Sequence, residues 1–222
     1  MGHDDERGVI YELDVATGSI VKRFSLGDPV AKGDFEGLAI GAGDVFYLVT
    51  STGLLHRFHE AADRANVAFE TFDTGLAGEC EVEGAAFDFA GERVILARKH
   101  NYSAQMHGKL TLYAWSPQTP EHPANPWLTI PVDKLAGAVG TRAFHPSAFE
   151  IDPMSGRLIL VASHEKAMVE LDREGQVLAA RSLGRHHRQP EGVTVLADGA
   201  LIIADEARHG FPHIACYDRL AS

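Results

Sequence analysis

Cysteine is scarce in this chain of 222 residues: Cys80 and Cys216 are its only two, far apart and in no metal-type spacing, which favours free thiols over a disulfide. Long apolar runs are missing as well. No stretch approaches the roughly 18 to 20 apolar residues of a membrane span, and the opening MGHDDERG contains no apolar signal region, so the chain as written reads as a soluble, cytoplasmic product. Positive charge is in deficit. Lys and Arg total 20 against 31 Asp and Glu, a formal charge of −11, and the basic residues are scattered rather than gathered into a stripe. That argues against a nucleic-acid partner and suits cations better. The sequence holds no HExxH, CxxC, GxSxG, P-loop or GxGxxG, and the His186-His187 pair lacks the spacing of a helical zinc site, so transition-metal enzymology is not indicated.

What is present points to strands. Hydrophobic residues make up 45% and charged residues 23%, ordinary values for one globular domain, while 22 glycines and 10 prolines punctuate short apolar runs. Glycine reaches positive φ without steric cost, so this punctuation predicts many turns joining short strands in an all-β fold. One phrase repeats: DFEGLAI (34–40), EVEGAAF (81–87) and QPEGVTV (189–195) place Glu-Gly before an apolar run, and HPSAFEI (145–151) has the same shape with Ser147-Ala148 in that place. Each is followed by a Gly-containing turn and a second apolar strand, VFYLV, RVILA, RLILV or ALIIA, and then by a polar cluster and a third strand.

Repeats of about four antiparallel strands, 44 to 64 residues apart at these anchors, predict a β-propeller of about five four-stranded blades rather than a sandwich or wide barrel of hairpins. The blades fall at 34–76, 81–132, 145–184 and 189–220, with 1–27 supplying the outer strands of a first blade that is incomplete at the N-terminus. The longest interval contains PQTPEHPANPW (117–127), a Pro-rich excursion between third and fourth strands.

In a blade, the entry to the innermost strand and the connection between second and third strands lie on one face. That face would collect Glu36, Glu83, Ser147 and Glu191 with the clusters Thr50-Ser51-Thr52, Arg98-Lys99-His100, Ser163-His164-Glu165 and Asp205-Glu206. Three carboxylates near one axis repel one another, and Ca²⁺, which takes six to eight oxygen ligands, is the natural counter-charge. Mg²⁺ or a water-filled, partly protonated channel would also serve. The purely structural alternative has each Glu accept backbone N–H groups at a blade junction. The glycine beside each Glu reads as a small residue where inner strands crowd the axis. His145, His164 and His100 could approach the channel mouth, and a serine nucleophile would require Ser147 or Ser163 to find a base such as His145 or His164.

DFEGLAI, FDTGL with EVEGAAF, FHPSAFEIDPMSGRLILVAS, ELDREGQVL and RQPEGVTVLADGALIIADE together resemble the SdiA-regulated family of bacterial β-propeller proteins. The resemblance is more distant to phytase-like esterase and to gluconolactonase or strictosidine-synthase propellers, in which an axial Ca²⁺ organises a hydrolytic site. It implies a propeller with a possible cation site. Family members usually carry a further half blade and often an exported or membrane-anchored N-terminus, which implies a periplasmic or anchored protein if an upstream segment has been lost. Three functions are then open. The first is a cation-binding propeller that takes a small ligand at the channel mouth, with Glu36, Glu83 and Glu191 as metal ligands. The second is a metal-dependent hydrolase of an ester, lactone or phosphoester, with His164, Glu165 or Glu206 activating water. The third is a protein-interaction scaffold.

Overall fold

Each Glu-Gly phrase opens a strand, and the strands after it step outward in antiparallel pairs. A computed structural model describes residues 1–78, 80–101, 108–207 and 211–218, with the side chains of 99–101 excepted. In chain order the strands are β1 (Gly2–His3), β2 (Val9–Leu13), β3 (Ile20–Leu26), β4 (Phe35–Ile40), β5 (Val45–Thr50), β6 (Leu54–His59), β7 (Asn66–Val67) and β8 (Glu70–Asp73). There follow β9 (Cys80–Asp88), β10 (Arg93–Asn101), β11 (Lys109–Trp115) and β12 (Asn125–Pro131), and then the helix α1 (Val132–Val139). The chain continues with β13 (Ala148–Ile151), β14 (Leu158–Ala162), β15 (Ala167–Leu171), β16 (Val177–Ser182), β17 (Pro190–Val195), β18 (Leu201–Asp205) and β19 (His213–Tyr217).

They form five small sheets, ordered β1-β2-β3-β7, β4-β5-β6-β8, β9-β10-β11-β12, β13-β14-β15-β16 and, among the described residues, β17-β18-β19. The molecule is a five-bladed β-propeller, as the repeats predict. The N-terminal blade is made differently from the others. Its first strand has two residues, and its outer edge is completed by β7, which runs parallel to β3 with Leu26 opposite Val67.

The second strands of the second to fifth blades carry apolar runs that are largely buried, and alternate residues serve different neighbours. In β10, Ile95 and Ala97 join the cluster between the third and fourth blades, while Val94 and Leu96 join the one between the second and third. In β14, Leu158, Leu160 and Ala162 face the third blade, and Ile159 and Val161 face the fifth. Each pair of successive blades thereby shares its own apolar cluster.

The inner strands approach backbone to backbone, and the motif glycines allow it. A Cβ on Gly37 would lie 2.6 Å from the backbone nitrogen of Ala85, and one on Gly84 would lie 3.2 Å from the nitrogen and Cβ of Phe149. Each phrase therefore nests on the next one. Gly192 differs, since its Cβ would meet Ala204 of its own blade at 3.1 Å.

Most of the Pro-rich excursion, 117–124, lies between β11 and β12, and its last three residues, 125–127, open β12 itself. The helix after it is a feature that the strand reading does not contain. It buries Leu135 and Ala136 against the third-to-fourth blade core, ends at Gly140 in the left-handed region (φ 73°), and is tied to the fourth blade by Lys134 Nζ donating to the Gly175 carbonyl at 3.0 Å. Remote from the motif glycines, Asp88 is almost fully buried and joins two blades: its Oδ2 accepts from Arg93 at 3.0 Å and from Arg173 at 2.5 Å. Both guanidinium groups stack on Trp127, at 4.9 and 5.1 Å from its ring centre. Burial alone would raise the Asp88 pKa, but the two arginines hold it below the ordinary carboxylate range.

Candidate functional site

The register that builds the fourth and fifth blades also aligns the polar residues just beyond their strand ends. Pairing of Ala148 with Val161 in β13 and β14, continued past the strand, sets His145 opposite His164 and Glu165. Pairing of Pro190 with Asp205 in β17 and β18, continued by one residue, sets Gln189 opposite Glu206, whose N–H donates to the Gln189 carbonyl at 2.9 Å. Between these two places lies an open cleft of about 1080 Å³, whose lining includes His145, His164, Lys166, Arg185, Glu191 and Glu206.

On the fifth-blade side, Gln189 clamps two glutamates. Its Nε2 donates to Glu191 Oε1 at 2.8 Å and also to Glu206 Oε2, while its own Oε1 is buried without a hydrogen-bond partner. Burial pushes the Glu191 pKa up to about 7; the Gln189 hydrogen bond opposes the shift, and the hydrogen bond to Glu206 and the charges of Glu206 and Glu83 add to it. Glu191 is thereby placed to hold a proton near neutral pH. Behind it, Asp205 holds the frame, accepting the Gln189 backbone N–H on Oδ1 at 2.9 Å and His187 Nδ1–H on Oδ2 at 2.6 Å. The fully buried His187 ring accepts the Tyr217 hydroxyl at Nε2. This is a positioning network closed on itself.

On the fourth-blade side, His145 Nδ1 lies 2.7 Å and His164 Nδ1 3.3 Å from the same oxygen, Glu165 Oε1. Glu165 Oε2 accepts the His145 backbone N–H at 3.1 Å. Burial would raise the Glu165 pKa, but the His145 backbone and ring lower it on balance.

The residues expected from the sequence fall into three groups. Glu191, Glu206, Asp205, His145, His164, Ser147 and Ser163 line the cleft, while Glu165 is not part of the lining but meets the two histidines that are. Glu83 is buried on β9, and its charge reaches Glu191; Glu36 is half-buried on β4 and is not part of the cleft lining. Among the described residues the one group of three His, Cys, Asp or Glu side chains whose ligand atoms lie within 4.8 Å of one another is His145, His164 and Glu165; Glu36, Glu83 and Glu191 do not form a set that tight. Arg98 is buried against β11, donating to the Tyr113 hydroxyl at 2.9 Å, and does not line the cleft; the side chains of Lys99 and His100 lie outside the described residues.

Ser147 is a joint between blades. Its hydroxyl donates to the Pro190 carbonyl at 2.7 Å and accepts the Ser163 N–H at 2.9 Å, so its proton is committed to a backbone oxygen rather than to a histidine. Neither cysteine is in a disulfide: Cys80 is buried and Cys216 is exposed in the cleft wall. Among the described residues no helix is long and apolar enough to cross a membrane.

Fold and site together define a five-bladed β-propeller with a polar cleft at the ends of the inner strands of two adjacent blades. The chain is similar to the SdiA-regulated family, whose model matches residues 140–219, the segment that carries the HPSA, QPEG and ADE phrases. Curated protein sequences yield no match. Among solved structures, the chain resembles glutaminyl cyclase of Myxococcus xanthus with a TM-score of 0.52 and 15% identity, over 88% of this chain and 76% of that one. It also resembles the Cps50 (Swd1) β-propeller domain of Myceliophteria thermophila, with a TM-score of 0.51 and 10% identity over 90% of this chain and 56% of that one. At these identities the likeness concerns the fold alone.

Proposed function

We propose that the chain is a ligand-binding propeller that takes a small molecule at the cleft through a hard divalent cation, Ca²⁺ with Mg²⁺ as the alternative. The carboxylates of Glu191 and Glu206 would hold the ion, and Glu83 would add negative potential from below. One observation carries this reading: two carboxyl groups are pressed together and Glu191 is pushed up to about 7, beside an amide whose oxygen has no partner. A divalent cation replaces the proton of Glu191 and removes the repulsion. Rotating the Gln189 amide by half a turn would also exchange Nε2 for Oε1, adding a third oxygen donor to the two carboxylates.

The expected behaviour is a thermal stabilisation by millimolar Ca²⁺ that is larger at pH 8 than at pH 6, because binding expels the proton of Glu191. At 100 times Kd the gain is about 2.7 kcal/mol. Glu191→Gln should abolish it; no shift and no heat at millimolar Ca²⁺ or Mg²⁺ would overturn the reading.

The same pair also suits hydrolysis, since a carboxyl group near pKa 7 serves as a general acid or base at neutral pH. An ester, lactone and phosphoester panel run on the same two proteins separates the readings. Turnover lost with Glu191→Gln points to hydrolysis, and ion binding without turnover points to a binding protein.

A further inference from the structure

From the other wall of the cleft we infer that His145, His164 and Glu165 form a binding site for a transition-type divalent cation, with Zn²⁺ as its natural occupant. The inference does not depend on the calcium reading, because it uses different residues and a different donor set. Two imidazole nitrogens and a carboxylate oxygen lie within 4.8 Å of one another, with both Nδ1 atoms turned toward Glu165 Oε1. Ligands of one tetrahedral zinc stand about 3.3 Å apart, given metal–ligand bonds of roughly 2.0 to 2.2 Å. His164 and Glu165 already stand at that spacing, His145 and Glu165 at 2.7 Å must part slightly, and the two imidazoles need at most a modest approach. His164 can supply it, since its side chain is 87% exposed and free to turn, whereas the Glu165 side chain is 5% exposed and already fixed.

The carboxylate is oriented in the manner metal sites require. Glu165 Oε2 is held by the His145 backbone N–H, which leaves Oε1 to face the two imidazoles. Nitrogen donors select Zn²⁺, Co²⁺, Ni²⁺ or Cu²⁺ over Ca²⁺, which prefers an all-oxygen shell. Three protein ligands leave at least one position open, and the lining of His145 and His164 directs that opening into the cleft. An ion there presents an exchangeable site to any small molecule held opposite, on the wall carrying Glu191 and Glu206.

The test is titration of chelator-stripped protein with Zn²⁺ in excess Ca²⁺, by calorimetry, and with Co²⁺ by its visible absorption. The expected result is one saturable equivalent, with affinity reduced at least about 10-fold in His164→Ala and in His145→Ala, and the cobalt bands lost in both. His186→Ala should bind Zn²⁺ as the parent does. Because His164 is largely exposed, His164→Ala retains the fold, which far-ultraviolet circular dichroism checks. The inference is overturned if the two histidine variants keep the parent affinity, if no equimolar binding occurs, or if excess Ca²⁺ displaces Zn²⁺. A protein that fails to respond to Ca²⁺ but binds Zn²⁺ through these residues loses the first reading and keeps this one.

Discussion

Glu150 shows how a single side chain can make stability depend on pH. It stands on β13 and accepts the Ile151 N–H at 2.8 Å and, from the neighbouring blade, the Thr194 hydroxyl at 2.9 Å. Burial pushes its pKa up to about 7 against those two hydrogen bonds, and the charge of Asp152 adds to the rise. A carboxyl whose pKa is higher folded than unfolded contributes stability that is complete below the unfolded value of 4.5 and is lost as pH rises through 7. Urea unfolding at pH 5 and pH 8.5 should therefore show a decline in the parent that is smaller in Glu150→Gln, by up to roughly 3 kcal/mol, the remainder coming from Glu191. In HPSAFEI this residue reads only as a polar position in a strand, because Thr194, which completes its site, comes from another blade. The meeting of His145 with Glu165 was nearer to legible, since HPSA and VASHE flank one hairpin and their register brings them opposite. Without that register, the histidines of an acidic chain look like surface residues. Nothing in Arg185-His186-His187-Arg188 marks His187 as fully buried while His186 is exposed; its partners Asp205 and Tyr217 are supplied by two other strands.

Among the elements, the inner strands were the most readable and the edges the least. The Glu-Gly phrases mark β4, β9 and β17, and the unbroken apolar runs mark β5, β10, β14 and β18, because burial on both faces leaves no polar position in a strand. The helix α1 escaped notice although its signals are present: Asp133 in the first turn and Gly140 as a left-handed cap after an apolar stripe. It follows the Pro-rich excursion, where the repeat pattern expects a blade to end. The parallel addition of β7 to β3 was equally invisible, being two residues long and non-local. A prediction at this scale concerns the contact between β4 and β9. Gly37→Ala sets a methyl group 2.6 Å from the Ala85 nitrogen, an approach that backbone cannot yield to without moving a blade. Thermal or denaturant unfolding should show a loss of about 1–3 kcal/mol. Gly43→Ala is not the proper control, since Gly43 has a positive φ; Gly137→Ala is, because Gly137 has open space and lies in a helix.

Across the whole molecule, burial is greatest in the central blades and declines toward the first and the fifth. The inner strand of the third blade, β9, is buried at almost every position, whereas in β17 only Pro190 is buried and β19 has no buried residue. Hydrogen exchange followed by mass spectrometry should find peptides of β17–β19 exchanging well before those of β9, β10 and β14, with cation binding at Glu191 slowing the former. Equal protection in all blades would contradict this gradient. The nesting of Gly37 on Gly84 and of Gly84 on Phe149 has a mechanical counterpart. Backbones in direct contact are nearly incompressible, so the inner strands of the second to fourth blades behave as a stiff hub. Compliance is left to the rim, where the 163–166 turn and the end of β18 stand on either side of the cleft. A ligand drawing those two walls together would be felt as a change in the pitch of one blade against its neighbour, with the hub as the fixed pivot.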